Sequence, residues 1–349
     1  MNRRAIAYAL LSALLFGLST PAAKLLLGNV DPIVLAGLLY CGAGLGIAIL
    51  RYLPGIRDAA ARETAVDRAG LPWLLGAIVA GGILGPLFLL FGLARTDAST
   101  ASLLLTFESA ATALLARFLF GEAYGVRLSF GLALLVGGAM ALAWTGAPTL
   151  SAGLGPLLII AACFAWGIDN NLTRKVALSD PLQIVALKGL IAGPFNLALG
   201  LWIGASLPPA ATVLGAGMVG LLGYGVSLVL FVAALRHLGA ARTGAYFAVA
   251  PFFGAIVAVV ILGEPPSVQL LIAGVLMAAG VWLHLTEVHD HDHIHESMEH
   301  EHPHVHDEHH QHTHTPGDPP GEPHSHPHRH ARLKHAHPHL PDAHHQHRH

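Results

Sequence analysis

Glu108 stands inside an apolar run, TFESAATALLARF, and is the first residue of this chain that needs a chemical reason. A charge within a hydrocarbon-like segment is expensive, so it marks either a function or a partner. The carboxylate could bind a cationic or amino group or carry a proton, or it could be packed against other helices, protonated or hydrogen-bonded. Lys188, in VALKGLIAG, poses the same question with the opposite sign. It could snorkel to an interface, hold an anionic group, or pair with Glu108. Asp169, Asn170 and Asn171 follow Trp166 by about one turn. Three consecutive helical residues cannot share a face, so at most two of them look into a cavity. The cluster could equally be capped by water at the end of its helix. Trp166, Tyr40, Tyr224 and Tyr246 fit either a cavity lining or an interface belt.

The second set of chemically capable residues lies at the C-terminal end. The segment His289–His349 holds 23 of the 25 histidines, with 10 acidic and 4 basic residues. Histidines alternate with small, polar, acidic or proline residues at His289, His291, His293 and His295. The pattern continues at His300, His302, His304, His306, His309, His310, His312 and His314, and again at His324, His326, His328 and His330. Neutral imidazole is a good ligand for Zn, Ni, Co and Cu, and a pliant chain can gather four from many combinations. Metal binding with poor selectivity is the expectation, with no single histidine essential and no cofactor required elsewhere. Few apolar residues and several prolines exclude a packed core, so residues 289–349 are expected to be disordered.

The elements that must position Glu108 and Lys188 are membrane helices. The chain is 54% hydrophobic and 11% charged, outside the range of a soluble domain of its length. Apolar runs long enough to cross a hydrocarbon core fall at about 5–27, 32–52, 71–93, 98–120, 124–145, 152–173, 181–204, 212–235, 240–262 and 267–287. Basic residues of the connections divide unevenly between the two sides. Arg3, Arg4, Arg51, Arg57, Arg62, Arg68, Arg117, Arg127, Arg174, Lys175, Arg236 and Arg242 fall on one, and only Arg95 and Lys24 on the other. The positive-inside rule makes the first side cytoplasmic, together with both termini. Cys41 and Cys163 lie in apolar segments and read as small buried hydrophobes rather than a disulfide.

The body repeats. FGLSTPAAK at Phe16–Lys24 answers WGIDNNLTR at Trp166–Arg174, Asp31-Pro32 answers Asp180-Pro181, and Gly121-Glu122 answers Gly263-Glu264, at offsets of 142 to 150 residues. Five spans per half require the halves to cross in opposite senses, a recurring plan of secondary transporters. Asn171 matches Pro21, which predicts an irregular backbone at that depth in spans one and six. Glycine runs such as Gly42–Gly46 and Gly81–Gly85 read as small-residue helix packing, and Glu122 and Glu264 as structural end signals.

These motifs resemble the drug/metabolite transporter superfamily, EamA type, over two five-helix repeats, 5–146 and 151–288. The resemblance implies ten helices around a central cavity lined by spans one to four and six to nine. It implies no substrate, and residues 289–349 have no counterpart in the family pattern. The expected function is secondary transport of a small solute or metabolite, with export favoured, across the cytoplasmic membrane. The alternative is transport of Ni, Co or Zn with the His-rich segment sensing or delivering metal. No phosphate-binding GxxxxGK[ST] loop is present and no catalytic set can be assembled, so neither ATP-driven transport nor an enzyme is expected. The expected partners are lipid, a small-molecule substrate, metal ions at the tail and a second copy in a homodimer, with no nucleic acid.

Overall fold

The computed structural model describes residues 3–54, 56–57, 63–120, 126–143, 150–176, 179–231, 233–234 and 246–285, and within the tail 292–295, 299–304, 324–329 and 333–336. The body is all-helical. Six helices are long and apolar enough to cross a membrane: α1 (Arg3–Leu27), α2 (Pro32–Arg51), α3 (Leu71–Leu93), α6 (with Gly153–Thr173 as its apolar part), α7 (Pro181–Trp202) and α8 (Ala210–Phe231). Helix α4 is in two pieces, Ala98–Leu104 and Phe107–Phe120; α5 is Val126–Ala143, α6 as a whole is Leu150–Thr173, α9 is Ala250–Val260 and α10 is Val268–Leu285. Residues 232 and 235 of the eighth apolar run and 240–245 of the ninth lie outside the described residues.

The two halves pack in matching ways. Helix α1 lies against α8 and α9, and α6 lies against α3 and α4. The matched helices α2 and α7 meet along their length and run antiparallel, with Val34 beside Gly200, Cys41 beside Gly193 and Gly44 beside Gly189. A methyl group at Gly44 or Gly189 would enter the facing backbone, so glycine there sets the close approach, and Gly42 does the same against Gly217 of α8. Facing outward, Leu271, Val275 and Trp282 of α10 and Phe195 and Trp202 of α7 are exposed large apolar residues, as a bilayer-embedded surface requires.

Asp31 and Asp180 open their helices in the same way. Asp31 Oδ1 accepts from Ile33 N at 2.8 Å, and Asp180 Oδ1 accepts from Leu182 N at 2.9 Å. In each, proline at the first helical position removes a donor that would have no partner.

The expected backbone irregularity is not at Pro21 and Asn171. Both α1 and α6 stay helical through those residues, which are buried against their neighbours. The irregularities occur in α3 and α8, where Ile78–Leu84 and Leu221–Val226 form π turns, and at breaks in α4 and before α9.

In the tail, the described residues form four short strands where the composition leads one to expect none. β1 (Asp292–His295) pairs with β4 (Leu333–Ala336), and β2 (Glu299–His304) with β3 (His324–Arg329), both antiparallel. The second pair sets His300, His302 and His304 opposite His328, His326 and His324. Isolated two-stranded ribbons are marginally stable in water, so the lack of a packed core stands as the composition dictates.

Candidate functional site

The break in α4 is where the site begins. Helical bonding stops at Leu105 and Thr106 and resumes at Phe107, which puts Glu108 in the first turn of the second piece. No proline causes this break. Thr106 and Ser109 instead turn their hydroxyls back on Leu103 O and Thr106 O, at 2.7 and 2.9 Å, the local bonds by which such residues compete with a helix. A carboxylate in a first turn complements the free N–H groups there. The matching break before α9 has Ala250-Pro251 at this position, so only one half carries the charge.

Asn170 reaches Glu108 from α6: its Nδ2 donates to Glu108 Oε1 at 3.0 Å and to Thr112 Oγ1 at 3.2 Å. The outward stripe of α6 is Leu157, Phe164 and Ile168, all exposed. Asn170 lies about 200° around the helix from Ile168, on the inner side, and is nevertheless exposed. It is therefore reached on the side of α6 away from lipid, and this opening is an internal space. Glu108 and Thr112 are partly exposed to the same space.

Lys188 does not pair with Glu108 and does not snorkel. Its Nζ donates to Asp169 Oδ1 at 2.5 Å and to Thr173 Oγ1 at 2.8 Å, and Thr173 Oγ1 donates to the same carboxylate oxygen at 2.8 Å. The pair is nearly buried, with side-chain exposures of 10% for Lys188 and 13% for Asp169. Asn171 turns a third way, donating to Gly167 O at 2.8 Å and Thr112 O at 3.1 Å. The three neighbours thus face α7, the internal space and α4 in turn. Within the described residues of this region, Asp169 is neutralised and Glu108 has no cationic partner.

Glycines 81 and 82 do more than pack helices. Tyr40 OH donates to Gly81 O at 2.6 Å and Trp166 Nε1 to the same oxygen at 3.0 Å, while Asn196 Nδ2 donates to Gly82 O at 3.1 Å. These carbonyls are available because the helix widens to a π turn there and Pro86, one turn on, has no N–H to return. Any side chain at position 81 would collide with the Asp169 carboxylate. Gly81 therefore touches the ion pair on one side and the aromatic groups on the other.

Those aromatic groups form one cluster. Phe16 packs edge-on against Trp166 and Tyr224, with ring centroids at 6.4 and 6.0 Å, and Tyr40 lies 5.7 Å from Tyr224. Phe247, at 5.4 Å from Phe16 and 4.9 Å from Phe231, completes it. Glu108 lies within electrostatic range of Asp169 and of the Tyr40 and Tyr224 hydroxyls. Sequence reasoning missed Thr112, Thr173, Asn196, Phe16 and Phe247. Phe16 and Thr173 lie inside the repeated FGLSTPAAK and WGIDNNLTR segments, which was a usable signal; the others carry none in an apolar helix. Tyr246 is only half-buried, and the ring that joins the cluster is that of its neighbour Phe247.

An apolar bundle of two similarly packed halves with a polar and aromatic cluster between its helices is the build of a membrane transporter. The comparisons agree. The model of the EamA-like transporter family matches residues 3–144 and again 153–286, so the chain belongs to that family and is a multi-pass membrane protein that moves small solutes. It is 28% identical over 285 residues to an uncharacterized transporter of Methanothermobacter thermautotrophicus, covering 78% of this chain and 83% of that one. An uncharacterized protein of Pseudomonas aeruginosa is 31% identical over 192 residues, covering 55% of this chain and 66% of its own. A solved crystal structure shares the fold, with a TM-score of 0.59 at 20% identity over 80% of this chain and 95% of that one.

Proposed function

We propose that this transporter exports a small solute bearing a positively charged or amino group, and that Glu108 is the residue that takes that group. One observation carries the reading: Glu108 is a partly exposed carboxylate at a helix break, and among the described residues its hydrogen-bond partner is the neutral Asn170. Asp169, the other acid nearby, is held by Lys188. An ionised Glu108 would then offer a cation a charge to replace part of its lost hydration.

The halves are read as inverted repeats in the cytoplasmic membrane, with both termini in the cytoplasm. Support comes from the matched packing of α1 and α6 and from the concentration of basic connections on one side. The histidine-rich tail is read as a cytoplasmic binder of Zn, Ni, Co or Cu, separate from the solute path. Metal transport through the body has less to support it, since no group of three or more metal-ligating side chains is gathered among the described residues.

The test is transport by the full chain in lipid vesicles, across a panel of amines, amino acids, carboxylates and divalent metals. Concentration-driven movement of amines that is lost in Glu108→Gln, with the variant still inserted and folded, is the expected result. Undiminished transport by Glu108→Gln would sink the reading.

A further inference from the structure

The antiparallel seam between α2 and α7 has two ends that the repeat makes comparable, and they are not tied alike. At one end Arg51, the last residue of α2, meets Asp180, the cap of α7. Arg51 Nε and a terminal guanidinium nitrogen both reach Asp180 Oδ2, at 3.0 and 2.9 Å. Asp180 is 1% exposed at its side chain and Arg51 34%. The connection between α2 and α3 is pinned to the same point: Asp180 N donates to Thr64 O at 2.8 Å, and Val66 N donates to Gln183 Oε1 at 3.0 Å. At the other end the position matching Arg51, at the offset that relates Asp31 to Asp180, is Gly200. Gly200 faces Val34 and Ile33, so that end is closed by apolar contact alone.

The tied end lies over the polar site. Lys188 is eight residues into α7 from Asp180, about 12 Å along the axis at the rise of an α-helix. Asp169, Asn170 and Thr173 occupy the last turn and a half of α6, from which the chain runs directly to Asp180. Among the described residues, Arg51–Asp180 is the ion pair that ties α2 to α7 at this end.

We infer that the Arg51–Asp180 ion pair is a lock that holds the transporter shut at this end, and that breaking it is a required step in opening the site to that side. The two bonds of Asp180 divide its roles. Oδ1 caps α7 and belongs to the fold, whereas Oδ2 holds Arg51 and belongs to the lock. Because Arg51 is partly exposed, the lock is sensitive to salt, unlike the buried Lys188–Asp169 pair. The inference concerns the conformational cycle and does not depend on which solute Glu108 takes.

The experiment uses the full chain in lipid vesicles, with Cys41 and Cys163 replaced by alanine and spin labels at Tyr52→Cys and Lys175→Cys, on the two sides of the lock. Double electron resonance then reads the distance across it. Arg51→Gln and Asp180→Asn both remove the ion pair, and asparagine keeps the helix cap. Each is expected to add a longer-distance population, raising the open-to-closed ratio by roughly fivefold, the size of an ion pair with one exposed partner. Arg51→Lys keeps the charge and is expected to keep the short distance. The unmutated lock at about 1 M salt, where screening acts within about 3 Å, should shift in the same direction as Arg51→Gln. An unchanged distribution in both neutral variants and at high salt overturns the lock. If neither variant folds, the salt series alone decides. Glu108→Gln in the same labelled protein should leave the distances as they are, so failure of the solute reading and failure of the lock are separable.

Discussion

Among single residues, the two acids of the site have been given different tasks by their neighbours. Asp169 is committed to Lys188 and Thr173 through one oxygen, while Glu108 holds only an amide and lies open to the internal space. Breaking a buried pair by removing one partner strands the other charge, at a cost of about 3–5 kcal/mol in soluble proteins. Lys188→Met is therefore expected to lower the thermal unfolding temperature clearly, and Lys188→Met combined with Asp169→Leu to recover most of it. A double variant as unstable as the single one would show that Asp169 has a further partner. Glu108→Gln, which removes a carboxylate with no cationic partner among the described residues, is expected to unfold no earlier than the parent while failing to transport. The pairing itself was not legible: the sequence offers Lys188 two acids, and only the rotation of α6 places Asp169 toward α7.

Secondary structure was the most legible level, except where helices depart from regularity. Hydropathy placed the spans, and Asp-Pro placed the starts of α2 and α7, because an aspartate cap followed by proline has a local cause. The π turns had no such single cause. Gly81, Gly82 and Pro86 suit a wide turn, yet the same glycines suit close packing, and the deciding bonds come from Tyr40, Trp166 and Asn196 on other helices. Glu264 shows the reverse. It was legible as an end signal, and its carboxylate caps α4 of the other half, accepting from Ala98 N at 2.7 Å and Ser99 N at 2.8 Å. Gly263, at φ +73°, supplies the turn that brings it there. Loss of a helix cap costs about 1 kcal/mol. Glu264→Ala should thus reduce stability modestly, and Gly81→Ala should reduce both transport and stability, since its methyl group displaces Asp169 from the buried pair with Lys188. Equal transport by Gly81→Ala and the parent would remove the π turn from the site.

At the scale of the whole molecule, the division between an apolar body and a histidine-rich tail sets what can be separated. The tail begins after α10, and the family match ends at residue 286, so removing it after Thr286 leaves both repeats whole. Solute transport by the truncated chain is expected to equal that of the full chain, with metal tolerance of the cells altered instead. Imidazole binds metal only when neutral, and its unperturbed pKa is about 6.5, so protons compete for the ligands below that value. Uptake of Zn or Ni by a peptide of residues 289–349 should accordingly hold near neutral pH and fall steeply below about pH 6. Isothermal titration at two pH values reads this directly, with several ions bound and little preference between metals. If truncation after Thr286 instead abolishes movement of Ni, Co or Zn that the full chain performs, the tail belongs to the transport path. Metal would then be the cargo that Glu108 helps to pass.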